Sequence, residues 1–313
     1  MLRRSFSSLM STPATTPPLL VSTSWLQEKL ESRDAPVSVL DGSWYLPSAK
    51  RDPRAEWTTR RIPGAAYFDI DGVARRDTSL PHMLPTALDF GVAMAALGVS
   101  KSRPVIVYDT AGCLSAPRVV WTLRAFGHAQ TFLLSGGLPK WIAEGRPLET
   151  APPVSLPVAV EEWELRPEAV WGLESVLLAA GRGAPRDTTD ALLVDARPAG
   201  RFAGAEPEPR PGLASGHVPG ARSVPFTTLL DPAAPGELLP PAALRGVFAE
   251  AGVDVDRPGP LALSCGSGVT ACVVWAALVA AGRSPSLQTP VYDGSWAEYG
   301  ALAAPCELGP AAP

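Results

Sequence analysis

The most regular change between hydrophobic and polar positions lies in residues 261–281. Four mostly apolar residues, Leu261 to Ser264, are followed by Cys265, by small residues at 266–268, and by an apolar pattern that continues to Ala281. A short apolar run, a glycine-containing break and a longer apolar run predict a strand, a tight loop and a helix. Cys265 is therefore expected at the end of a strand, just before a helix.

The predicted loop favours the reactive form of Cys265. Gly266 and Gly268 let the backbone curl with its N–H groups inward, and the following helix adds unpaired N–H groups and the positive end of its dipole. Such surroundings stabilise a thiolate, the nucleophilic form of cysteine. Cys265 is a candidate nucleophile; the alternative is a buried, inert cysteine at a strand end.

Similar patterns occur in the rest of the chain. Ser24 is placed to cap a helix over Trp25 to Leu30. Apolar runs of different length predict further strands and one longer helix. These are strands at Val37 to Leu40, Val105 to Tyr108 and Thr131 to Leu134, and a helix from about Ala116 to Phe126.

The order of these segments occurs twice. Four features recur at an offset of about 155 residues, which indicates a tandem duplication. The pairs are Asp41 and Asp195, Arg61-Ile-Pro-Gly-Ala and His217-Val-Pro-Gly-Ala, Val105 to Phe126 and the Cys265 unit, and residues 135–137 and 293–296. Each copy alternates strands with helices, so the expected fold class is α/β, with two tandem domains that each have a mostly parallel sheet and helices on both faces. The first copy has Asp109 where the second has Cys265, so only the second can perform thiol chemistry.

Composition shifts suggest the domain limits. Residues 146–165 contain several prolines among small residues and predict an extended linker. It separates a non-catalytic domain at 21–145 from a catalytic domain at 166–304.

The N-terminal segment has the pattern of a targeting signal. Arg3 and Arg4, several Ser and Thr residues and the absence of an acidic residue before Glu28 are typical of a mitochondrial presequence. We expect residues 1–20 to be this presequence and the protein to be mitochondrial, with a cytoplasmic location also open. A disordered tail and a chloroplast transit peptide are the alternatives.

Composition and charge narrow the possible partners. The chain has 313 residues, of which 46% are hydrophobic, and a net charge of −4 without a basic block outside the N-terminus. Two domains of ordinary size fit this length, and neither nucleic acid nor a membrane is an expected partner. The four cysteines and three histidines lack the spacing of a disulfide framework or a zinc site. We therefore expect reduced thiols and no metal or organic cofactor.

The duplicated motifs carry a family resemblance. Two halves with a strand ending in aspartate, a Pro-Gly-Ala turn and a glycine turn before tryptophan, with a cysteine loop only in the second half, resemble the two-domain rhodanese superfamily of sulfurtransferases. The resemblance covers about residues 22–300. It implies sulfur transfer through a persulfide on Cys265, with a small thiol, thioredoxin or cyanide as the acceptor.

The loop itself is similar to that of superfamily members that use 3-mercaptopyruvate. Members that use thiosulfate typically carry basic residues where this chain has Gly266 and Ser267, and a doubly charged donor is better matched by cations. The resemblance implies 3-mercaptopyruvate as the substrate, bound against the loop residues Gly266, Gly268, Val269 and Thr270. Thiosulfate remains an alternative donor, and a non-catalytic sulfur carrier or scaffold is a remote alternative.

Other site residues follow from the same resemblance. Arg201 and Arg210 match the clamp for the substrate carboxylate, where guanidinium groups fit a planar anion, although a solvated surface pair would show the same pattern. Asp71, His82 and Ser267 match a proposed proton relay, with Asp69 as an alternative to Asp71. The active site would then lie between the two domains. A phosphatase, which also uses a cysteine loop, is disfavoured because it requires an arginine about six residues after the cysteine, where this chain has Ala271.

Overall fold

The computed structural model describes residues 18–32, 36–152, 154, 156–181, 191–284, 286–302 and 304–310. These residues form two five-stranded sheets, each built from one half of the chain. Most of the predicted presequence, residues 1–17, lies outside the described residues. Leu20, at its predicted end, already pairs with Leu133 in the first sheet.

Both sheets are parallel and share one topology. The strand order is β1-β5-β4-β2-β3 in the first sheet and β6-β10-β9-β7-β8 in the second, and every strand pair is parallel. The first five strands are β1 (Leu20–Val21), β2 (Ser38–Asp41), β3 (Ala66–Tyr67), β4 (Val105–Tyr108) and β5 (Thr131–Leu134). The second five are β6 (Val170–Trp171), β7 (Leu192–Asp195), β8 (Arg222–Ser223), β9 (Leu261–Ser264) and β10 (Val291–Tyr292). The equivalent order in both halves confirms the predicted α/β tandem fold.

Helices connect the strands in both halves. In the first half they are α1 (Thr23–Glu31), α2 (Pro53–Thr59), α3 (Ala87–Ala96), α4 (Ala116–Ala125) and α5 (Gly137–Ala143). In the second half they are α6 (Leu173–Ala179), α7 (Ala199–Phe202), α8 (Pro241–Glu250), α9 (Ala271–Ala280) and α10 (Ser295–Tyr299). None of the helices in the described part of the chain combines the length and apolar character that crossing a bilayer requires.

Alternating strand residues bury both faces of each sheet. In β4, Val105 and Val107 belong to one hydrophobic cluster, whereas Ile106 and Tyr108 belong to another on the opposite face. This alternation follows from the two-residue period of a strand. The second sheet divides in the same way between two clusters. Helices therefore cover both faces, as the apolar strands predict.

The two halves share one hydrophobic core. A single cluster contains buried residues of α4 and β4 together with residues of α9 and β9. The helices α4 and α9 occupy equivalent positions in the two copies and pack against each other. The core between the domains is therefore continuous, and it brings one copy of the loop-helix unit close to the other.

Some predicted details need correction. The first helix is capped by Ser22, whose Oγ accepts a hydrogen bond from Trp25 N at 3.1 Å, and not by Ser24, which lies inside the helix. The helix after the cysteine begins at Ala271, because Val269 and Thr270 belong to the loop. The predicted linker has no helix or strand among its described residues from 146 to 165, but it is not a free spacer, since Trp163 is buried against Phe90.

Candidate active site

The cysteine loop follows the central strand of the second sheet. β9 ends at Ser264, and α9 begins at Ala271. The turn after β10 holds the loop backbone, since Cys265 N donates to Ser295 Oγ at 3.2 Å and Trp296 N donates to Cys265 O at 3.0 Å. Cys265 is 2% exposed, so bulk water has little access to its side chain.

The loop keeps its main-chain N–H groups available. Within the described residues, those of 266–270 donate no hydrogen bond. They follow Cys265 directly in the chain and precede the N-terminus of α9. Unpartnered amides and the positive end of a helix dipole together stabilise a negative charge. The loop therefore has the donors that a thiolate or a persulfide anion requires.

In the first half of the chain, the loop equivalent to the cysteine loop binds the side-chain carboxylate of Asp109. Its carboxylate accepts hydrogen bonds from four main-chain N–H groups at 2.8–2.9 Å, those of Ala111, Leu114, Ser115 and Ala116. The first copy of the loop thus surrounds a negative charge supplied by the chain itself. Because Cys265 occupies the matching position in the second copy, its loop can surround an anionic sulfur in the same way.

His82 and Asp71 reach the cysteine loop from the first domain. His82 Nε2 lies 3.0 Å from Asp71 Oδ1, and His82 Nδ1 lies 3.3 Å from the main-chain oxygen of Ser267. Trp44 Nε1 donates to the other Asp71 oxygen at 3.0 Å, and its ring packs edge-on against the imidazole. The hydrogen bond from His82, helped by the charge of Arg210, lowers the pKa of Asp71. Asp71 is therefore a carboxylate at neutral pH.

The three residues of the predicted relay meet, with one difference at Ser267. The imidazole faces the Ser267 carbonyl, and within the described chain the Ser267 hydroxyl makes no hydrogen bond. A transfer through that hydroxyl requires it to turn toward His82 or toward a bound substrate, so the relay stays a prediction. The choice between the two aspartates is clearer. Asp69 accepts hydrogen bonds from the N–H groups of Asp71 and Gly72, and Asp71 alone faces His82.

Arg201 and Arg210 flank the loop at Gly266. A Cβ at this glycine would lie 3.3 Å from Arg201 Nη2 and 3.9 Å from Arg210 Nη1. Arg201 donates its Nε and Nη2 groups to Glu208. In the part of the chain that the structure describes, Arg210 donates no hydrogen bond, so its donors are free for a ligand. The two guanidinium groups thus provide a cationic rim beside Gly266, the residue that follows Cys265.

The sequence did not reveal what holds Arg201. The side chain of Glu208 is 3% exposed and accepts hydrogen bonds from both Arg201 and Arg197. Arg197 also pairs with Asp195 at 2.6 Å and lies over the ring of Trp296. Buried carboxylates therefore fix two guanidinium groups. The available signal was the pair Asp195-Ala-Arg197 directly after an apolar strand, where buried charges require partners.

Arg118 is a second residue that sequence reasoning missed. It comes from α4 of the first domain and is 2% exposed. Its Nη2 donates to Asp293 Oδ1 at 2.7 Å and to His82 O at 2.6 Å, and its Nη1 donates to Gly268 O at 3.3 Å. One buried cation thus joins both domains at the site. An arginine inside the otherwise apolar start of α4 was the signal.

Comparison with protein families identifies the fold. The model of the rhodanese-like domain matches the chain twice, over residues 22–144 and 183–302. The chain belongs to the rhodanese-like family. Each match covers four of the five strands of one sheet, without β1 in the first half and β6 in the second, and the second match contains the cysteine loop. Within the described residues, no group of three or more His, Cys, Asp or Glu side chains is arranged to hold a metal ion.

Similar proteins cover nearly the whole chain. The rat 3-mercaptopyruvate sulfurtransferase is 41% identical over 284 residues, which are 90% of this chain and 91% of the rat protein. The Arabidopsis thaliana thiosulfate/3-mercaptopyruvate sulfurtransferase 1, named as mitochondrial, is 37% identical over 90% of this chain and 75% of its own length. The crystal structure of SseA from Escherichia coli, described as a 3-mercaptopyruvate sulfotransferase, superposes with a TM-score of 0.77 and 37% identity, covering 90% of this chain and 100% of SseA.

Proposed function

We propose that the protein transfers the sulfur of 3-mercaptopyruvate to a thiol acceptor through a persulfide on Cys265 and releases pyruvate. The observation that carries the proposal is the position of Cys265, which directly precedes Gly266, flanked by the two arginines, and a loop whose main-chain N–H groups donate no hydrogen bond within the described residues. The relatives named as 3-mercaptopyruvate sulfurtransferases support this substrate. In this proposal the second domain is catalytic, and the first supplies His82 and Asp71.

The arginines bind the substrate carboxylate. Arg210 offers unpaired donors, and Arg201 offers the guanidinium edge that Glu208 does not occupy. Charge-assisted hydrogen bonds from two guanidinium groups hold a carboxylate in one orientation. With the carboxylate fixed beside Gly266, the thiol sulfur of this short molecule reaches Cys265. The N–H groups of Gly268, Val269 and Thr270 are free to face the transferred sulfur.

The chemical step is attack of the Cys265 thiolate on the thiol sulfur of 3-mercaptopyruvate. The new sulfur–sulfur bond forms as the carbon–sulfur bond breaks, and the electron pair of the broken bond passes to carbon, giving the enolate of pyruvate. The enolate takes one proton, which we assign to the group of Ser267, His82 and Asp71. Cys265 is left as a persulfide, and its outer sulfur lies among the loop N–H groups.

A thiol then removes the outer sulfur. Its thiolate attacks that sulfur, the persulfide bond breaks, and the Cys265 thiolate is regenerated while the acceptor leaves as a persulfide. We propose a small thiol or thioredoxin as the physiological acceptor, and cyanide gives thiocyanate in the same step. No step in this cycle requires a metal or an organic cofactor.

The loop composition supports 3-mercaptopyruvate over thiosulfate as the preferred donor. A basic side chain at position 266 would meet Arg201, because even a Cβ there lies 3.3 Å from a guanidinium nitrogen. The site therefore has cations at the rim and neutral groups beside the sulfur, which suits a substrate whose charged carboxylate is distant from its reacting sulfur.

We further propose a mitochondrial location, directed by residues 1–20. The Arabidopsis relative named as mitochondrial supports this location. A fusion of these residues to a fluorescent protein tests it, with a fusion in which Arg3 and Arg4 are both replaced by Glu as the control.

The proposed activity is tested with the full chain and two donors. Pyruvate release from 3-mercaptopyruvate and thiocyanate formation from thiosulfate and cyanide are measured for wild type, Cys265→Ser and Cys306→Ser. We expect preference for 3-mercaptopyruvate, loss of both activities in Cys265→Ser, and retention in Cys306→Ser, which changes a thiol of the same half that donates to Ala304 O. Preference for thiosulfate would overturn the substrate assignment, and activity in Cys265→Ser would overturn the nucleophile.

A further inference from the structure

Arg118 is a buried cation that only the first copy of the duplicated unit contains. It is the third residue of α4, and the third residue of α9 is Val273. Burial of an arginine is unfavourable unless every donor and the charge find partners. Its partners are a carboxylate and two carbonyl groups, and all three belong to segments that form the active site.

We propose that Arg118 is a positioning residue for sulfur transfer: it fixes the cysteine loop against the His82 segment and supplies positive charge at the base of that loop. This inference rests on the proposed role of Cys265 as the nucleophile. It assigns to the first domain an electrostatic contribution to the chemistry of the second.

The positioning role follows from how tightly Arg118 and Asp293 hold residues 82–84. His82 has a φ of 61°, a left-handed conformation that is unfavourable for a residue other than glycine. The carbonyl of His82 accepts from Arg118 at 2.6 Å, and Leu84 N donates to Asp293 Oδ2 at 2.7 Å. The ion pair thus contacts this strained segment on both sides and sets the direction of the imidazole.

The same guanidinium fits closely against the cysteine loop. Gly268 has a φ of 79°, and a Cβ there would lie 2.8 Å from Arg118 Nη1. The Gly268 carbonyl accepts from both Arg118 and the Cys272 thiol, each at 3.3 Å. The loop conformation therefore depends on a cation directly beneath it.

The electrostatic role follows from the charges near Cys265. Burial opposes the charge of Arg118, but Asp293 and the sulfurs of Cys272 and Cys265 raise its pKa. The Arg118 guanidinium lies 3.3 Å from the carbonyl oxygen of Gly268, three residues after Cys265, so its positive charge stabilises a negative charge in the cysteine loop. The charged and titratable groups that face the cysteine loop are Arg118 from α4, Cys272 from α9, Asp293 after β10, Arg201 and Arg210 beside Gly266, and His82 with Asp71.

Two substitutions change this charge in opposite directions. Arg118→Gln leaves Asp293 as an unpaired buried anion, which disfavours a thiolate nearby. Asp293→Asn leaves Arg118 unpaired, which favours the thiolate. Arg118→Lys keeps the charge but cannot reach three acceptors with a planar group. Arg124→Gln is the matched control, because Arg124 lies on the same helix and, among the described residues, its hydrogen bonds go to Thr131 O.

The test measures iodoacetamide alkylation of Cys265 in the full chain from about pH 5 to about pH 9, with the modified peptide quantified by mass spectrometry. We expect the alkylation midpoint to rise by about one pH unit in Arg118→Gln, fall in Asp293→Asn, and match wild type in Arg124→Gln. In Arg118→Lys the midpoint stays near that of wild type while kcat for pyruvate release falls about tenfold or more, since the loop loses its anchor.

The two proposals fail in different ways. Equal midpoints in Arg118→Gln and Arg124→Gln, or shifts of one sign in Arg118→Gln and Asp293→Asn, would overturn the role of Arg118 while the persulfide chemistry stands. A wild-type protein that forms no persulfide with 3-mercaptopyruvate would overturn the proposed function. If Arg118→Gln does not fold, Asp293→Asn and Arg118→Lys still decide the question, because each predicts a distinct midpoint.

Discussion

At the scale of residues, the two copies place different partners at equivalent positions. Asp41 and Asp195 end matching strands and are both buried. In the described part of the chain Asp195 pairs with Arg197, whereas the residue two positions after Asp41 is Ser43, which supplies a main-chain N–H and no charge. Burial without a cation raises the pKa of Asp41 to about 6. The first copy therefore contains a carboxyl group whose ionisation opposes folding.

Asp41→Asn should stabilise the protein at neutral pH. A carboxyl group whose pKa is higher in the folded state holds its proton more tightly there, so stability falls as pH rises from about 4 to about 6 and stays lower above. A shift of about two units corresponds to about 3 kcal/mol. We expect the free energy of unfolding in urea to increase by up to about 3 kcal/mol at pH 7.5 and to change little at pH 4.

Asp195→Asn is the control for the Asp41 substitution. It removes the carboxylate that pairs with buried Arg197, so it should destabilise the protein at neutral pH by about 3 kcal/mol or more. A gain in stability from Asp41→Asn that is equal at both pH values would contradict the electrostatic explanation and indicate a packing effect.

At the scale of elements, strands with strong apolar character were predictable, and element ends were less so. β4 and β5 lie where the apolar runs predict them, because strands buried on both faces consist almost entirely of apolar residues. Two-residue strands such as β3 are too short to show the alternation of apolar and polar residues that predicts a strand. The sequence pattern predicts Ser24 instead of Ser22 as the cap of α1, because both are serines before the first tryptophan and only the backbone conformation distinguishes them.

The two serines make the cap of α1 testable. Ser22 Oγ accepts from Trp25 N at 3.1 Å, and Ser24 is an exposed helix residue whose hydroxyl, within the described residues, hydrogen-bonds the Ser22 hydroxyl alone. Ser22→Ala should lower the free energy of unfolding by about 1 kcal/mol, since one main-chain donor loses its acceptor. Ser24→Ala should leave it within about 0.5 kcal/mol. Urea unfolding of both variants measures this difference. A larger decrease in the free energy of unfolding from Ser24→Ala than from Ser22→Ala would indicate that Ser24 caps the helix.

At the scale of the whole molecule, the candidate site forms at the interface between the two domains. The Asp109 loop of the first domain contacts the second domain, and the Cys265 loop of the second domain contacts the first. The candidate nucleophile Cys265 and the two arginines beside Gly266 were predictable from motifs in one half. The partners that hold them, Arg118 and Asp293, were not, because their contact depends on how the domains pack and sequence spacing carries no record of it. The same packing joins α4 to α9 in one core, so the domains are expected to unfold together.

The loop that follows Asp109 in the first domain contacts the second domain, and this contact allows the shared stability to be tested. Gly236 of the second domain has a φ of 85°, and a Cβ there would lie 2.8 Å from the Cα of Gly112 in the first domain. The adjacent Glu237 pairs with Lys140 at 2.8 Å and accepts from Ser135 Oγ at 2.9 Å, so the two backbones are held together. Gly145 has a φ of 65° with no atom within 4 Å of its Cβ position, which makes Gly145→Ala a control for conformation alone.

Gly236→Ala should therefore lower the free energy of unfolding by more than Gly145→Ala does. Both substitutions place a side chain on a left-handed residue, at about 1 kcal/mol each, and only the first also forces two backbones apart, which adds about 1–3 kcal/mol. Urea unfolding followed by tryptophan fluorescence and circular dichroism measures both the loss and the number of transitions. One shared transition with a lower midpoint would support a common core. Two transitions, with only one of them shifted, would show that each half folds on its own. The domain interface would then fix the relative position of the two domains without adding to their stability.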